Sequence, residues 1–450
     1  MEGRGRRNME LLEGKHVGTS SPSNVSTKQQ RIAELAKEEK RALTTLAHHI
    51  DIEWLEEAFR RTRKDGATGT DGVTASEYGT QLRANLQRLL DRAKSGTYRA
   101  PAVRRVFIPK GDGQQMRPIG IPTFEDKVLQ RAVHMVLEPV YEQEFHDCSY
   151  GFRPGCSAHQ ALRSLREQMV EIRGGWLLEV DIKSFFDTLD HQHLQELLRR
   201  RVRDGVLLRL IGKWLNAGVQ HEGQHTRPEA GTPQGGVISP LLANIYLHEV
   251  LDEWVEKEVK PRLGGRCFLI RYADDFVMGF SLEQDARRVL EVLPKRFGKY
   301  GLTLHPEKTR LVRFEKPDNN GKKAPESFDF LGFTHYWERS LKGYWVIKRR
   351  TAKSRFTRSL NRIREWCRRR RHAPIAVQHR HLSAALRGHY GYFGVIGNSV
   401  ALARFAFEVR LVWHKWLARR SQRGMNWKVF GELAKRHPLP VPRMIHPTIA

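Results

Sequence analysis

The chain has 450 residues, 40% of them hydrophobic and 10 of them tryptophan, with 78 Lys and Arg against 50 Asp and Glu for a formal net charge of +28. That apolar share excludes disorder throughout, and the length accommodates two or three domains with buried cores. The charge far exceeds what solubility requires and points to a polyanion, nucleic acid or an anionic membrane surface, while no apolar run approaches the roughly 20 residues of a membrane-spanning helix.

Residues 1–25 are polar and expected to form a flexible tail; the basic start has no apolar core behind it, which argues against a signal peptide. Ser26 and Thr27 precede a helical pattern through Ile32, Leu35, Ala36, Leu43 and Leu46, and Asp51 is placed to cap a second helix burying Trp54, Leu55, Ala58 and Phe59. Gly66, Gly69 and Gly72 punctuate a loop around Asp71, and a helix follows through Leu82, Leu86, Leu89 and Leu90. Residues 103–110 alternate like a strand, turn at 111–113 and return over 116–121, which sets Lys110 and Arg117 on opposite arms near the turn. Two cations there suit either a clamp for a triphosphate or a solvated hairpin.

Residues 123–144 read as mostly helical, and 150–155 as a loop feeding a helix with Ala161, Leu162 and Leu165. An apolar run of strand length, 176–180, ends on Asp181. Asp190 is placed to cap a helix through Leu194, Leu197 and Leu198; Asp187 and Asp190 are given capping or surface roles. A helix over 206–215, a polar hairpin across 221–227 and the glycine-rich 231–236 follow. Ser239 before Pro240 predicts an N-cap and a long helix to about Glu258. Two apolar runs within 268–280 flank Ala273, Asp274 and Asp275, a β-hairpin with adjacent carboxylates at its tip. A helix over 282–300, an edge strand over 302–309, a surface loop over 315–327 and strands over 328–347 with a turn near 341–343 complete this part.

From residue 351 helices take over, with Phe356, Leu360, Ile363 and Cys367 forming one apolar stripe among arginines. Further helices are expected over 377–393 and 399–419, and a short one carries Trp427, Phe430 and Leu433. Residues 348–450 hold 24 Lys and Arg against 3 Glu and no Asp, a net of +21, so the first 347 carry only +7 of the total +28. A basic helical region thus sits behind a nearly balanced body, and it is expected to bind polyanion. The scattered Cys148, Cys156, Cys267 and Cys367 form no C-x-x-C pair, which argues against a zinc site or disulfide framework and suits a reducing interior, the cytoplasm.

An isolated Asp-Asp dipeptide is commonly a solvated turn. Here Asp181 ends an upstream apolar strand, and antiparallel pairing of that strand with the hairpin would bring the carboxylates together. Carboxylates so gathered suit two-metal phosphoryl transfer, with Mg²⁺ as the hard cation that oxygen ligands hold.

At this point the residues resemble a known family. Tyr272-Ala-Asp-Asp275 resembles the Y-x-D-D box of reverse transcriptases, Asp181 with residues 182–187 resembles their motif A, and Gly231–Gly235 with 239–244 resembles their motif B. Arg117-Pro-Ile-Gly-Ile-Pro122, Tyr150-Gly-Phe-Arg-Pro-Gly155, residues 302–308 and Phe330-Leu-Gly-Phe333 continue the series in order. Over residues 30–440 the chain is similar to group II intron reverse transcriptases, or maturases.

That resemblance implies an α+β right-hand polymerase: an N-terminal extension of the fingers (26–100), fingers and palm (101–347) and a basic α-helical thumb (348–450). It implies Asp181, Asp274 and Asp275 as catalytic ligands of two Mg²⁺ ions, with Mn²⁺ as the other ion that would serve. Lys110 and Arg117 would hold the incoming triphosphate, Phe186 would exclude a nucleotide 2′-hydroxyl, and Gln234 would lie near the incoming nucleotide. Arg355, Arg358, Arg362, Arg369 and Arg387 would contact RNA. The implied partners are structured intron RNA, an RNA template with DNA primer, dNTPs and a DNA target, with no membrane and the oligomeric state open. A splicing cofactor that only binds RNA, and a domesticated relative in phage defence or diversity generation, are the other readings. The family's thumb signature usually has tryptophan where residues 386–393 place His389. No cysteine pairs of an appended H-N-H endonuclease follow Cys367, so nicks or replication forks made by others are expected to serve any insertion.

Overall fold

The computed structural model describes residues 24–109, 116–221, 224–226, 231, 235–318, 326–421 and 424–446. The expectations for residues 1–23, for the hairpin tip with Lys110 and for Gln234 lie outside the described residues. No described helix is long and apolar enough to cross a membrane.

The chain opens with helices α1 (Asn24–Glu38), α2 (Ile52–Arg61), α3 (Ala75–Gly79) and α4 (Leu82–Ser95). Asp51 caps α2 as its position predicts, its carboxylate accepting from Trp54 N at 2.9 Å. Leu43 and Leu46 are buried, but not on a helix. Their backbone is claimed by tertiary bonds instead: Leu43 N donates to Arg201 O at 2.9 Å and Leu46 N to Asp204 Oδ2 at 2.7 Å.

Strands β1 (Val103–Pro109) and β2 (Met116–Ile121) form the expected antiparallel hairpin, with Ile108 opposite Arg117. Thr123 caps α5 (Phe124–Tyr141), and α6 (Ala158–Glu171), β3 (Trp176–Val180), α7 (Phe185–Thr188), α8 (His191–Arg201) and α9 (Gly205–Leu215) follow. Asp190 caps α8, accepting from His193 N at 2.7 Å. A short hairpin, β4 (Val219–His221) and β5 (Gln224–Thr226), precedes α10 (Ser239–Leu247). Ser239 is the first residue of α10 rather than its cap: Ile238 holds that position in helical geometry without a side-chain bond, so Pro240 still falls where no N–H is needed. The helix continues in wider π-helical turns over His248–Asp252 and Val255–Val259.

Next come β6 (Cys267–Tyr272), β7 (Asp275–Phe280), α11 (Glu283–Gly298) and β8 (Arg310–Arg313). The edge strand expected over 302–309 lies just beyond it, at β8. Leu304 makes a single bridge to Ile182 and His305 N bonds Asp181 O at 2.8 Å, then the chain turns after Pro306, which has no N–H to extend a ladder. The meander β9 (Phe328–Phe330), β10 (Phe333–Arg339) and β11 (Trp345–Thr351) leads into α12 (Lys353–Arg369), α13 (Ile375–Phe393), α14 (Ser399–Ala418) and α15 (Trp427–Arg436).

Three sheets result, in strand orders β2-β1-β4-β5, β6-β7-β3-β8 and β11-β10-β9. The architecture is α+β. Two cores share the middle sheet, and period-two alternation decides which residue enters which. Phe276, Met278 and Phe280 face a core built from α1, α2, α4, α5 and α8–α11; Val277, with Phe268 and Ile270, faces one that joins α6, β9–β11 and α12–α15. The Asp-Asp hairpin is therefore clamped on both faces.

Candidate active site

The middle sheet positions the carboxylates. In β3 and β7, Val180 pairs with Phe276, so Asp181 leaves β3 at the edge where Asp274 and Asp275 turn into β7. The negative charge of Asp181 reaches both. Asp274 is raised above the usual carboxylate range, first by burial and then by Asp181, against the opposing pull of Arg117 and Arg271. Asp275 has surface open to water but is crowded by protein, and desolvation, then Asp274 and then Asp181, push its carboxyl up to about 6. Such shifts mark negative charge that lacks full compensation. Part of the deficit is met by Lys308, whose ammonium stands 2.9 Å from Asp181 Oδ2. Every donor here is a carboxylate oxygen, the ligand type a hard divalent cation takes.

Several other expected residues surround this point. The charge of Arg117 on β2 bears on Asp274 and Asp275, and Arg355 on α12 bears on Asp275. Phe185 is buried in the core, whereas Phe186 is only part buried and packs edge-on against it, with ring centroids 5.3 Å apart. Gln234 is bracketed by two glycines that need to be glycine. A Cβ on Gly231 would lie 2.8 Å from the carbonyl oxygens of Phe186 and Asp187; one on Gly235 would lie 2.6 Å from Gly120 O on β2. Both have positive φ, +93° and +124°. Gly231 is thus pressed against the Phe186 turn and Gly235 against the Arg117 strand. Arg362, Arg369 and Arg387 are exposed and Arg358 is half-buried; Arg369 also pairs with Glu365 at 2.5 Å.

The profile of the family described as reverse transcriptase (RNA-dependent DNA polymerase) matches residues 108–335. The Escherichia coli protein YkfC is 36% identical over 332 residues, which cover 65% of this chain and 82% of that protein. The chain belongs to the reverse transcriptase family. Group II intron-encoded protein LtrA of Lactococcus lactis is 40% identical over 198 residues, 44% of this chain but only 33% of LtrA, and nuclear intron maturase 2 of Arabidopsis thaliana is 30% identical over 177 residues, 24% of its length. The similarity to intron-encoded reverse transcriptases and maturases agrees with the ordered motif series.

The residues that aim this reverse transcriptase's hairpin were not singled out from sequence. Arg271 on β6 and Asp252 on the π-helical extension of α10 are both 0% exposed and paired bidentately, Nε–Oδ1 at 2.8 Å and Nη2–Oδ2 at 2.5 Å. Arg271 Nη1 also donates to Asn244 Oδ1 at 2.9 Å and to Ala273 O at 3.1 Å, at the carboxylate tip. Asn244 Nδ2 donates to Gly151 O at 2.7 Å, and a Cβ on Gly151 would lie 2.3 Å from Ala273 N. Arg153 completes the loop by donating to His146 O at 2.7 Å and Ser149 O at 2.8 Å. One signal was available: an arginine inside the apolar run Phe-Leu-Ile-Arg-Tyr of a two-sided strand needs a buried partner.

Proposed function

We propose that the protein is an RNA-directed DNA polymerase of the group II intron type, which copies intron RNA and binds it to assist splicing and mobility. The reading rests on the β3–β7 register that sets Asp181 beside Asp274 and Asp275, whose carboxyls are both raised. In the right-hand arrangement, residues 26–100 extend the fingers, 101–347 supply fingers and palm, and 348–450 the thumb.

Asp181, Asp274 and Asp275 would hold two Mg²⁺ ions, which when bound lower the pKa of an attacking 3′-hydroxyl and neutralise the leaving pyrophosphate. The chain's own residues orient the nucleotide. Lys110 and Arg117 hold the triphosphate, Gln234 lies along the nucleotide, and Phe186 blocks a 2′-hydroxyl. Lys308 holds Asp181 in place through an exposed pair that a divalent cation would displace at little cost. Arg355, Arg358, Arg362, Arg369 and Arg387 contact RNA phosphates.

The test is Asp274→Ala, assayed for primer extension on an RNA template and for RNA affinity by filter binding. Extension is expected to vanish while affinity stays within about twofold, since the carboxylate contributes nothing to phosphate contacts. Undiminished cDNA synthesis sinks the site. A parent protein that binds RNA but makes no cDNA favours the splicing cofactor instead.

A further inference from the structure

Among the described residues, one trio of metal-type side chains has its ligand atoms all within 4.8 Å of one another: His146, His248 and Glu253. It shares no residue with the catalytic carboxylates. His146 lies in the loop after α5, His248 opens the π turn that extends α10, and Glu253 directly follows that turn. On an α-helix a five-residue separation splays two side chains by about 140°. The wider π turn over His248–Asp252 brings positions i and i+5 back to one side, and such turns recur at functional sites.

Glu253 Oε1 stands 2.9 Å from His146 Nε2 and 3.8 Å from His248 Nε2, while Lys257 engages Oε2. Tetrahedral ligands about 2.05 Å from Zn²⁺ are about 3.3 Å apart, so the two spacings bracket what the ion requires. His248 is 4% exposed, and its buried Nδ1 has no hydrogen-bond partner. That atom lies 3.9 Å from Asp252 Oδ2, beyond hydrogen-bond distance, and a small closure would give it the carboxylate support that a histidine ligating through Nε2 normally has. His146 is about one-third exposed, which gives an ion entry and leaves a fourth position for water. We propose that His146, His248 and Glu253 form a structural Zn²⁺ site of the His₂Glu kind. Through Asp252, which grips Arg271, the ion braces the support of the catalytic hairpin.

The full-length protein, stripped with a chelator, is titrated with Zn²⁺ alone in excess Mg²⁺, which saturates the carboxylate site. One equivalent is expected to bind and raise the melting temperature, and Co²⁺ is expected to give the visible absorption of a four-coordinate N/O site. His146→Asn and Glu253→Gln should weaken Zn²⁺ binding by more than about 100-fold, beyond the loss typical of an outer-shell partner. Asp274→Asn and Cys148→Ser should bind as the parent does. Should Glu253→Gln misfold on losing the Lys257 pair, His146→Asn, in a part-exposed loop, decides alone. No stoichiometric uptake, uptake unchanged by His146→Asn, or loss of uptake in Asp274→Asn or Cys148→Ser each overturns the site.

Discussion

Arg271→Met tests how the hairpin is aimed. The substitution keeps the volume of a side chain with 0% exposure but leaves Asp252, also 0% exposed, without its cation. Removing one partner of a buried pair costs about 3–5 kcal/mol, because the remaining charge is neither solvated nor paired. Asn244 Oδ1 and Ala273 O lose their Arg271 donor in the same step. Against a total stability of about 5–15 kcal/mol, a loss of this size is large. Arg271→Met, Asp252→Leu and the double variant would be compared by thermal melting and by primer extension. Both single variants are expected to melt well below the parent. The double, which removes both charges, should recover much of that loss, since apolar replacement of a buried pair is often neutral or better. Its extension rate should stay low, because nothing then holds Ala273 O. An Arg271→Met protein that melts and extends like the parent refutes the reasoning, and a double that restores full extension reduces the pair to a stability role.

Gly151→Ala places a Cβ where only 2.3 Å separates it from Ala273 N; a cost of about 1–3 kcal/mol and a fall in kcat larger than any change in KM are expected in melting and extension assays. Ala273 itself has φ of +57°, so Ala273→Gly should leave stability within about 1 kcal/mol of the parent, whereas Ala273→Val should lose about 1–2 kcal/mol and slow extension. His389 is buried against Phe405, and desolvation holds its pKa down at about 4. Between pH 6.5 and 4 the unfolded chain therefore binds the extra proton, so this contribution, on the order of 3 kcal/mol, is full above 6.5 and lost as pH falls toward 4. His389→Phe should flatten that acid limb in melting curves, and superimposable curves count against it. Charge reversal at Arg355, Arg362 or Arg387 should each reduce the slope of log affinity for RNA against log salt by about 1, and an unchanged slope removes that residue from the interface.

Much of this was legible because it is local or periodic. Asp51 and Asp190 cap helices whose starts follow from the apolar pattern, and residues 268–280 form a hairpin because alternation and turn chemistry agree. What escaped is set by distant partners. Residues 43–46 carry helical spacing, yet Arg201 and Asp204 take their backbone groups, more than 150 residues away. Arg271 reads locally as one charge in a strand; its partner Asp252 lies 19 residues upstream on a helix whose switch to π turns no periodicity announces. The edge strand was displaced by Pro306, which was visible in sequence, but its consequence depends on Asp181 O being the acceptor that ends the approach. His389 occupies a place where the family usually has tryptophan, and the structure explains why imidazole serves: it stacks on Phe405 with ring centroids 3.7 Å apart and 14° between planes.

Adjacent carboxylates repel, and a hairpin that carries them at its tip has to be held by something other than those carboxylates. Here the backbone is gripped from behind. Arg271 N donates to Cys148 O at 2.8 Å, Tyr150 N donates to Arg271 O at 2.9 Å, and the Arg271 guanidinium holds Ala273 O. Gly151 closes against Ala273 N, which leaves no room for the tip to retreat. None of these contacts uses the carboxylate oxygens of Asp274 or Asp275, so fixing the tip and binding a cation do not compete. Among the described residues, the one direct ion pair to Asp181 comes from Lys308, 60% exposed, and pairs of that kind contribute about 0–1 kcal/mol. A buried pair therefore sets the geometry while a weak exposed one offsets charge, and only the weak one would have to yield to a bound cation. Preorganisation of this sort removes the reorganisation cost from the chemical step. Arg271 thus acts on the site through the backbone at Ala273 O, not through the carboxylates.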